Sequence, residues 1–321
     1  MRAFISVSCA SVSVPHQYDG RRHEGVTVRE EKVLAERFEA ERVRLRSVAY
    51  RMLGTIAEAE DAVQEAWFKL SRSDVSEVKN LGAWLTTVVG RVCLDILRSR
   101  ASRREDPLPE QDGRVRLPDP VVSGLGVVNP EQEIMVADSV GIALMVVLET
   151  LSPAERLAFV LHDMFDVPFE DIASVLGRTS ASTRQLASRA RRRVQGAAPA
   201  SDTDTARRRE VVDAFLSASR GGDFEALLAI LDPDVVACSD GGVQVASVLR
   251  RGAADVASQA VEFARFAQDA HVVLVNGSPG VVSFADGRAI SVLSFTIRGG
   301  RVVALDVLTD PGRLEALGLI P

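Results

Sequence analysis

The stretch SPAERLAFVLHDMFDVPFEDIASVLGRTSASTRQLASRARRRV, residues 152–194, decides how the rest of the chain is read. It predicts three short helices with two sharp joints. Ser152-Pro153 is a helix start, with serine as cap, proline at the first helical position and Glu155 completing a cap three residues on. Leu157, Val160 and Leu161 then recur at helical spacing. Pro168 opens a second helix in which Ile172, Ala173 and Leu176 face inward, and Gly177 ends it. Thr179-Ser180 starts a third. A helix, a tight glycine-containing turn and a second helix make a helix-turn-helix. The last helix carries Arg184, Gln185, Ser188, Arg189, Arg191, Arg192 and Arg193 and no acidic residue. Its apolar side (Leu186, Ala187, Ala190, Val194) can pack while the Arg/Gln/Ser side faces phosphates and base edges. A solvated basic helix on an ordinary bundle is the plainer alternative. A turn in the right place followed by a one-sided arginine helix favours DNA.

The chain has 321 residues, enough for two or three domains with their own cores. At 46% hydrophobic and 26% charged it has the composition of a soluble globular protein. Aromatics at 5% leave little for single-strand stacking platforms. A net charge of −6 looks wrong for a DNA binder, but local basic faces decide nucleic-acid contact, not the sum over domains. Cys9, Cys93 and Cys238 are far apart, so a disulfide framework or zinc site is not expected, no metal or cofactor is called for, and a reducing cytoplasm fits. No apolar run reaches the ~20 residues that span a bilayer, so no membrane role is expected.

Upstream, residues 1–28 carry no periodic pattern and read as a disordered extension. A long helical pattern runs from Glu30 to Leu53 and stops at Gly54. A second helix, about Ala57 to Leu70, has Ala59, Ala62, Val63, Ala66, Trp67 and Leu70 on one stripe and Glu58, Asp61, Gln64 and Glu65 on the other side. That acidic face is either solvated surface or a docking face for a basic partner. A third helix begins at Asn80 and becomes basic in its later half (Arg91, Arg98, Arg100, Arg103, Arg104). Trp67 and Trp84 lie on apolar stripes and read as core rather than as base-stacking groups. Asp95 reads equally as a salt-bridge partner.

The segments AYRMLGTIAEAEDAVQEAWFKL (49–70) and GAWLTTVVGRVCLDILRSRASRRE (82–105) resemble region 2 of an extracytoplasmic-function (ECF) RNA polymerase sigma factor of the sigma-70 family. The helix-turn-helix resembles region 4 of the same family. The resemblance implies a transcription initiation factor that binds core RNA polymerase, at the β′ clamp helices and the β flap, and promoter DNA. Asp61, Gln64 and Glu65 match the segment that docks on the clamp helices. Lys79, Asn80, Arg91 and Arg98 match the segment that melts and reads the −10 element. Arg184, Gln185, Ser188 and Arg189 match positions facing the −35 major groove, with Arg191, Arg192 and Arg193 as phosphate contacts or solvated side chains.

The organisation expected is region 2 over 29–104, a flexible linker over 105–137, region 4 over 138–196, a spacer over 197–206 and a third domain over 207–321. The linker contains RLPDP (116–120), similar to a WLPEP-type motif of sigma factors with a fused C-terminal domain; Arg116 stands where that motif has tryptophan. VGIALMVVLETL then reads as a buried first helix of region 4. The third domain opens with a helix pair around a Gly-Gly turn, continues with a strand from Val235 and a helix over Arg251 to Phe266, and ends in four strand candidates. These are HVVLVN, GVVSFA, AISVLSFTI and RVVALDVL, separated by GSPG, ADGR and RGG. Helices first and an antiparallel meander after them make an α+β domain, similar to the SnoaL-like, NTF2-related cone. The fold class expected is therefore multi-domain: two all-α sigma domains followed by an α+β cone. SDGGV (239–243) resembles an SDGGG-type motif of the same sigma factors. Leu117, Pro118, Asp119 and Pro120 with Asp240, Gly241 and Gly242 are the expected regulatory motifs.

Relatives of the cone include small hydrolases and isomerases, which makes Asp240, His271, Asp286 and Asp306 the candidates for chemistry. An acid–base pair must converge, and fold alone grants no activity, so no catalytic residue is assigned and the chain is read as a non-enzyme. The cone is expected to bind a small ligand or to contact the sigma domains of its own chain. The rival readings are a stand-alone helix-turn-helix regulator, which leaves the Asp61/Gln64/Glu65 helix unexplained, and a SnoaL-type hydrolase or isomerase with accessory helices.

Overall fold

The computed structural model describes residues 28–73, 78, 80–103, 116–124, 141–197, 204–242, 245–265 and 269–320. The expected N-terminal extension, Lys79 and most of the 105–137 and 197–206 connectors lie outside the described residues. Three helices come first: α1 (Val28–Leu53), α2 (Ile56–Ser71) and α3 (Leu81–Arg103). Gly54 ends α1 at φ +81°, a left-handed conformation that glycine adopts without strain. Thr55 caps α2 by accepting from the Glu58 amide, and the stripe Ala59, Ala62, Val63, Ala66, Leu70 is buried. Then follow α4 (Ile142–Glu149), α5 (Pro153–Phe159) continuing as a π-helical turn (Val160–Met164), α6 (Phe169–Leu176) and α7 (Ser180–Ala197). The capping box of Ser152 and Glu155 forms, and Gly177 turns the chain at φ +64° toward α7.

The expected tether between two independent DNA modules is not what these helices do. α1–α3 and α4–α7 share one hydrophobic cluster, from Phe38 and Leu45 through Leu85 and Val89 to Leu157, Leu161, Leu186 and Ala190. The reason lies in one residue. Gly90 on α3 has no side chain, and a Cβ there would stand 3.0 Å from a Leu161 methyl and 3.2 Å from a Leu157 methyl. The two modules close on that gap. Arg156, buried at 4% exposure, crosses the same boundary and donates to the Arg51 carbonyl at 3.0 Å, near the C-terminal end of α1 where a cation is favourable. Burial lowers its pKa to about 10, so it remains charged at neutral pH.

The remaining chain forms α8 (Thr205–Gly221), α9 (Phe224–Ile230), β2 (Leu231–Gly241), β3 (Val245–Arg251), α10 (Ala253–Ala264), β4 (Asp269–Val275), β5 (Ser278–Ala285), β6 (Arg288–Arg298), β7 (Arg301–Leu308) and α11 (Pro311–Ala316). The sheet has seven strands in the order β1-β4-β5-β6-β7-β2-β3, where β1 is Val122–Ser123 from the linker. The meander β4–β7 is antiparallel as expected, but β2 joins β7 in parallel. The first hairpin turns on Asn276-Gly277, φ +47° and +71°, so the expected GSPG turn sits largely in β5. Asp286-Gly287 and Gly299-Gly300 make the other two turns.

Both faces of the sheet are covered. On one, Val212, Phe215, Leu227, Val256 and Ala257 from the helices meet Val281, Phe295 and Leu305. On the other, Val273, Val275, Val282, Phe284 and Val292 meet Ile142 of α4, Val122 of the linker and Leu314 of α11. That second face explains why α4 is apolar on nearly every side. One side joins the helical core through Met145 and Leu148, the other joins the sheet. It also explains why β5 is a continuous buried run rather than an alternating one.

Candidate nucleic-acid interface and interdomain clamp

α7 presents the faces its sequence predicts. Thr183, Leu186, Ala187 and Ala190 are buried, while Arg184, Gln185 and Arg189 are exposed. The arginines are not bare. Arg184 lies 3.1 Å from Glu170 and stacks over Phe169, its guanidinium carbon 5.3 Å from the ring centroid. Arg189 and Arg193 both lie 3.2 Å from Glu155, and Arg191 pairs with Asp163. Burial raises the Glu155 pKa, but hydrogen bonds from Ser152 and the two guanidiniums outweigh it and hold the carboxyl below its ordinary value. The charge of α7 is therefore partly neutralised by carboxylates of the two preceding helices.

On α2, Asp61, Gln64 and Glu65 are exposed, and Phe68 beside them is 51% exposed. Residues 61, 64, 65 and 68 share one helical face. Phe68 was not singled out in sequence, because an apolar residue next to Trp67 reads as core. Trp67 is the packed one, with its ring centroid 5.1 Å from that of Phe38. On α3, Asn80 caps the helix by accepting from the Ala83 amide at 3.0 Å. Asn80, Ala83, Trp84, Thr87, Val88 and Arg91 line a cleft of about 810 Å³. The opposite wall is Asp171, Ser174 and Val175 of α6. Trp84 packs partly against the core, so its indole is both a structural and a cleft-lining group. Arg98 is exposed and stands 3.9 Å from Asp95, a loose surface pair of little energetic weight. Lys79 is outside the described residues.

The two expected regulatory motifs, over 120 residues apart, meet. Leu117, Pro118 and Pro120 are buried. The Leu117 amide donates to Asp240 Oδ2 at 2.8 Å. Asp240 is 2% exposed and also accepts from the Gly242 amide at 3.0 Å. Arg313 of α11 completes the joint. It donates at 2.7 Å each to Asp119 Oδ1, Asp240 Oδ2 and the Leu117 carbonyl. Asp119 in turn accepts from the Ile56 amide at the start of α2, at 3.2 Å, and its own amide donates to the Gly54 carbonyl at 2.8 Å. Gly242 is required: its φ is +76°, and a Cβ would collide with the Asp310 carboxylate. A second joint lies beside this one. Tyr50 of α1 donates to the Asp119 carbonyl at 2.5 Å and accepts from Asn276 Nδ2 at 3.0 Å. Asn276 Oδ1 accepts from the Val121 amide at 2.8 Å. Burial and the nearby Asp119 push the Tyr50 phenol up, although its bond to Asn276 acts the other way. Arg313, Asn276 and Tyr50 went unrecognised in sequence. The Asn-Gly pair was the one available signal, and it announces a turn, not a partner.

Among the described residues no hydrogen bond or ion pair joins any two of the four candidates for chemistry. Asp240 is occupied by the clamp. Asp286 sits in the β5–β6 turn at φ +50°. His271 lies 2.9 Å from Asp269 at the start of β4. Asp306, whose pKa burial raises to about 6, lines a small space with Leu117, Pro118 and Ile142 on the linker side of the sheet. Among the described residues no group of three or more His, Cys, Asp or Glu is placed to hold a metal ion, and no helix is long and apolar enough to cross a membrane.

A helix with an exposed acidic face, a basic second half of α3 and a helix-turn-helix come in the order of an RNA polymerase sigma factor of the sigma-70 type. Residues 37–103 match the model of sigma-70 region 2 and residues 142–194 that of sigma-70 region 4. The chain is 40% identical over 293 residues to the ECF RNA polymerase sigma factor SigJ of Mycobacterium tuberculosis, covering 86% of this chain and 91% of that one. It is 36% identical over 286 residues to the probable ECF sigma factor SigI of the same species, covering 87% and 93%. The crystal structure of Mycobacterium tuberculosis SigJ matches with a TM-score of 0.70 at 37% identity, covering 88% of this chain and 98% of that chain. The chain belongs to the extracytoplasmic-function sigma factors: it binds RNA polymerase and recognises promoters, and its helical sigma domains are followed by a sheet-rich C-terminal domain.

Proposed function

We propose that this sigma factor is held closed by its own C-terminal domain and opens on core polymerase. The observation that carries this reading is the position of α6. It faces Asn80, Trp84 and Arg91 across one cleft, so the helix-turn-helix stands over the surface assigned to the −10 element. In the closed form Asn80, Arg91 and Arg98 track the −10 strand only after α6 moves. Lys79 belongs to the same assignment by its place in the sequence. Arg184, Gln185, Ser188 and Arg189 read the −35 major groove, and region 4 meets the β flap. Asp61, Gln64 and Glu65 dock on the β′ clamp helices, with Phe68 as the apolar centre of that patch. The linker clamp at Asp119, Asp240 and Arg313 sets how readily the two modules part. The enzyme reading draws no support from these residues, since among the described residues no hydrogen bond or ion pair joins any two of the four.

The test uses the full chain, core polymerase and run-off transcription, with a fluorophore pair across the α3–α6 cleft. Core polymerase should lower energy transfer. Phe68→Ala, whose ring is half exposed, should leave folding unchanged and weaken polymerase binding about tenfold, the scale of one truncated interface anchor. Unchanged transfer on a transcribing complex would remove the closed-form reading while leaving the family assignment intact.

A further inference from the structure

The C-terminal domain contains a cavity of about 220 Å³ that neither the clamp nor the promoter faces use. It lies between α8, α10 and the sheet, and its walls are mainly apolar, with Phe215 and Phe263 the largest apolar groups. An engineered apolar cavity of ~150 Å³ holds benzene, so this one admits a ring with a short side chain. Among the described residues no aspartate or glutamate lines it, but two arginines do, Arg220 and Arg250. Both are exposed residues, and neither forms an ion pair among the described residues. Arg220 donates to the Ala270 carbonyl, which fixes one edge of its guanidinium. An apolar chamber with two cations and no acid at its edge selects an anion with an apolar body.

One wall of the chamber adjoins the clamp. Ser239 and Thr309 line the cavity, and the Thr309 amide and hydroxyl both donate to the Asp240 carbonyl, at 2.8 and 3.2 Å. The side chain of Asp240 leaves that strand end to hold Leu117 and Arg313. β7 alternates in the same sense: Leu305 and Val307 line the cavity, Asp306 the linker side.

We propose that this cavity binds a small monocarboxylic acid with an aromatic or aliphatic body, carboxylate toward Arg220 and Arg250, and that occupancy reaches the linker through Ser239, Asp240 and Thr309. The second half rests on the closed-form reading above; the first does not.

Calorimetry on the full-length protein with 4-phenylbutyrate tests the site, with 4-phenylbutanol and 4-phenylbutylamine as neutral and cationic partners of the same shape and decanoate as a chain-like acid. The acids should bind at least tenfold tighter than the alcohol and the amine. Arg250→Glu should weaken the acids at least tenfold, and Ala260→Phe, which fills the chamber from α10, should abolish binding. Absence of binding by both acids, or an amine that binds as well as its acid, overturns the site. Hydrogen exchange at the Leu117 and Thr309 amides, with and without saturating acid, reads the coupling. A change of threefold or more at both supports it. Binding with no change at either overturns the transmission while the site stands, and a change that leaves energy transfer across the α3–α6 cleft untouched counts against the closed-form reading instead.

Discussion

Removing the Arg313 guanidinium is the sharpest perturbation of the interdomain joint. Its fork reaches two carboxylates and a carbonyl at 2.7 Å, with the Arg313 side chain 17% exposed, that of Asp119 17% and that of Asp240 3%. Arg313→Ala leaves Asp240 as a buried charge held only by the Leu117 and Gly242 amides. Breaking a buried pair by deleting one partner costs about 3–5 kcal/mol, and the partial exposure of Arg313 argues for the lower end, about 3 kcal/mol. At ~1.4 kcal/mol per factor of ten, that is roughly a hundredfold. The assay is native-state hydrogen exchange at the Leu117, Asp119 and Asn276 amides, which donate to Asp240, the Gly54 carbonyl and the Val121 carbonyl. Exchange should accelerate about a hundredfold at Leu117 and Asp119, and less at Asn276, which sits on the second joint. Arg313→Lys keeps the charge but cannot span three acceptors, so it should recover only part of the protection. In a double-mutant cycle with Asp240→Asn the coupling should be about 2 kcal/mol, because the second change removes the charge that the first strands. A coupling under about 0.5 kcal/mol, or exchange within threefold of wild type, refutes the clamp as the joint between linker and C-terminal domain.

Three further outcomes follow from particular contacts. Gly90→Leu places a side chain against Leu157 and Leu161 and should cost about 1–3 kcal/mol by overpacking, with a larger radius of gyration in X-ray scattering as the helical modules part. Glu155→Gln releases the carboxylate pull on Arg189 and Arg193 and should steepen the salt dependence of promoter binding by about one to two units of log–log slope, read by anisotropy on holoenzyme. Glutamine can still accept from the Ser152 amide, so the α5 capping box and the fold should survive the change. Asp306→Asn tests a titration. The folded-state pKa is raised by burial from 3.8 to about 6, so the group's favourable contribution is full below about pH 4 and is lost as pH rises through 6. The stability of the variant relative to wild type should therefore rise by about 2–3 kcal/mol between pH 4 and pH 7 in paired urea titrations; a difference that is flat with pH shows that Asp306 is not desolvated.

The helix-turn-helix was legible because each of its signals is local. Ser152-Pro153 with Glu155, the Gly177 stop and the Leu186/Ala187/Ala190 stripe each act within one or two turns of helix, and all three form. The exposed acidic triplet on α2 follows from the same periodicity. What the sequence does not carry is which surfaces meet. Gly90 reads as a weak point in a helix, and its use as a seat for Leu157 and Leu161 depends on a helix some 70 residues on. RLPDP stands in the expected flexible linker, and its prolines remove backbone donors. Yet its remaining groups bond to Asp240, Arg313 and Gly54, and Val122–Ser123 joins the sheet edge at β4. Composition cannot distinguish a solvated linker from one whose hydrogen bonds are met by another domain. β3 and the early start of β2 were missed for a related reason: DPDVV looks like a turn, and the parallel pairing of β2 with β7 is non-local.

Those same long-range contacts argue for how regulation would be distributed. The linker is pinned at three points: by Arg313 and Asp240, by Tyr50 and Asn276, and by the β1–β4 pairing. Each point joins the C-terminal domain either to α1 or α2 or to the segment between them and region 4. On the closed-form proposal, the C-terminal domain therefore does not need to touch α7 to control promoter access. It shortens the effective connector by fixing residues 116–123 along the sheet edge and against the start of α2. A connector so fixed limits how far α4 can travel from α3, and α4 is itself packed on the sheet through Ile142 and Val146. Loosening any one pin lengthens the connector only in part, because the other two still hold. Single substitutions should thus give graded changes in promoter output, and the steep change should appear only when two pins are removed together. That pattern distinguishes a shared clamp from a single latch, for which one substitution would be sufficient.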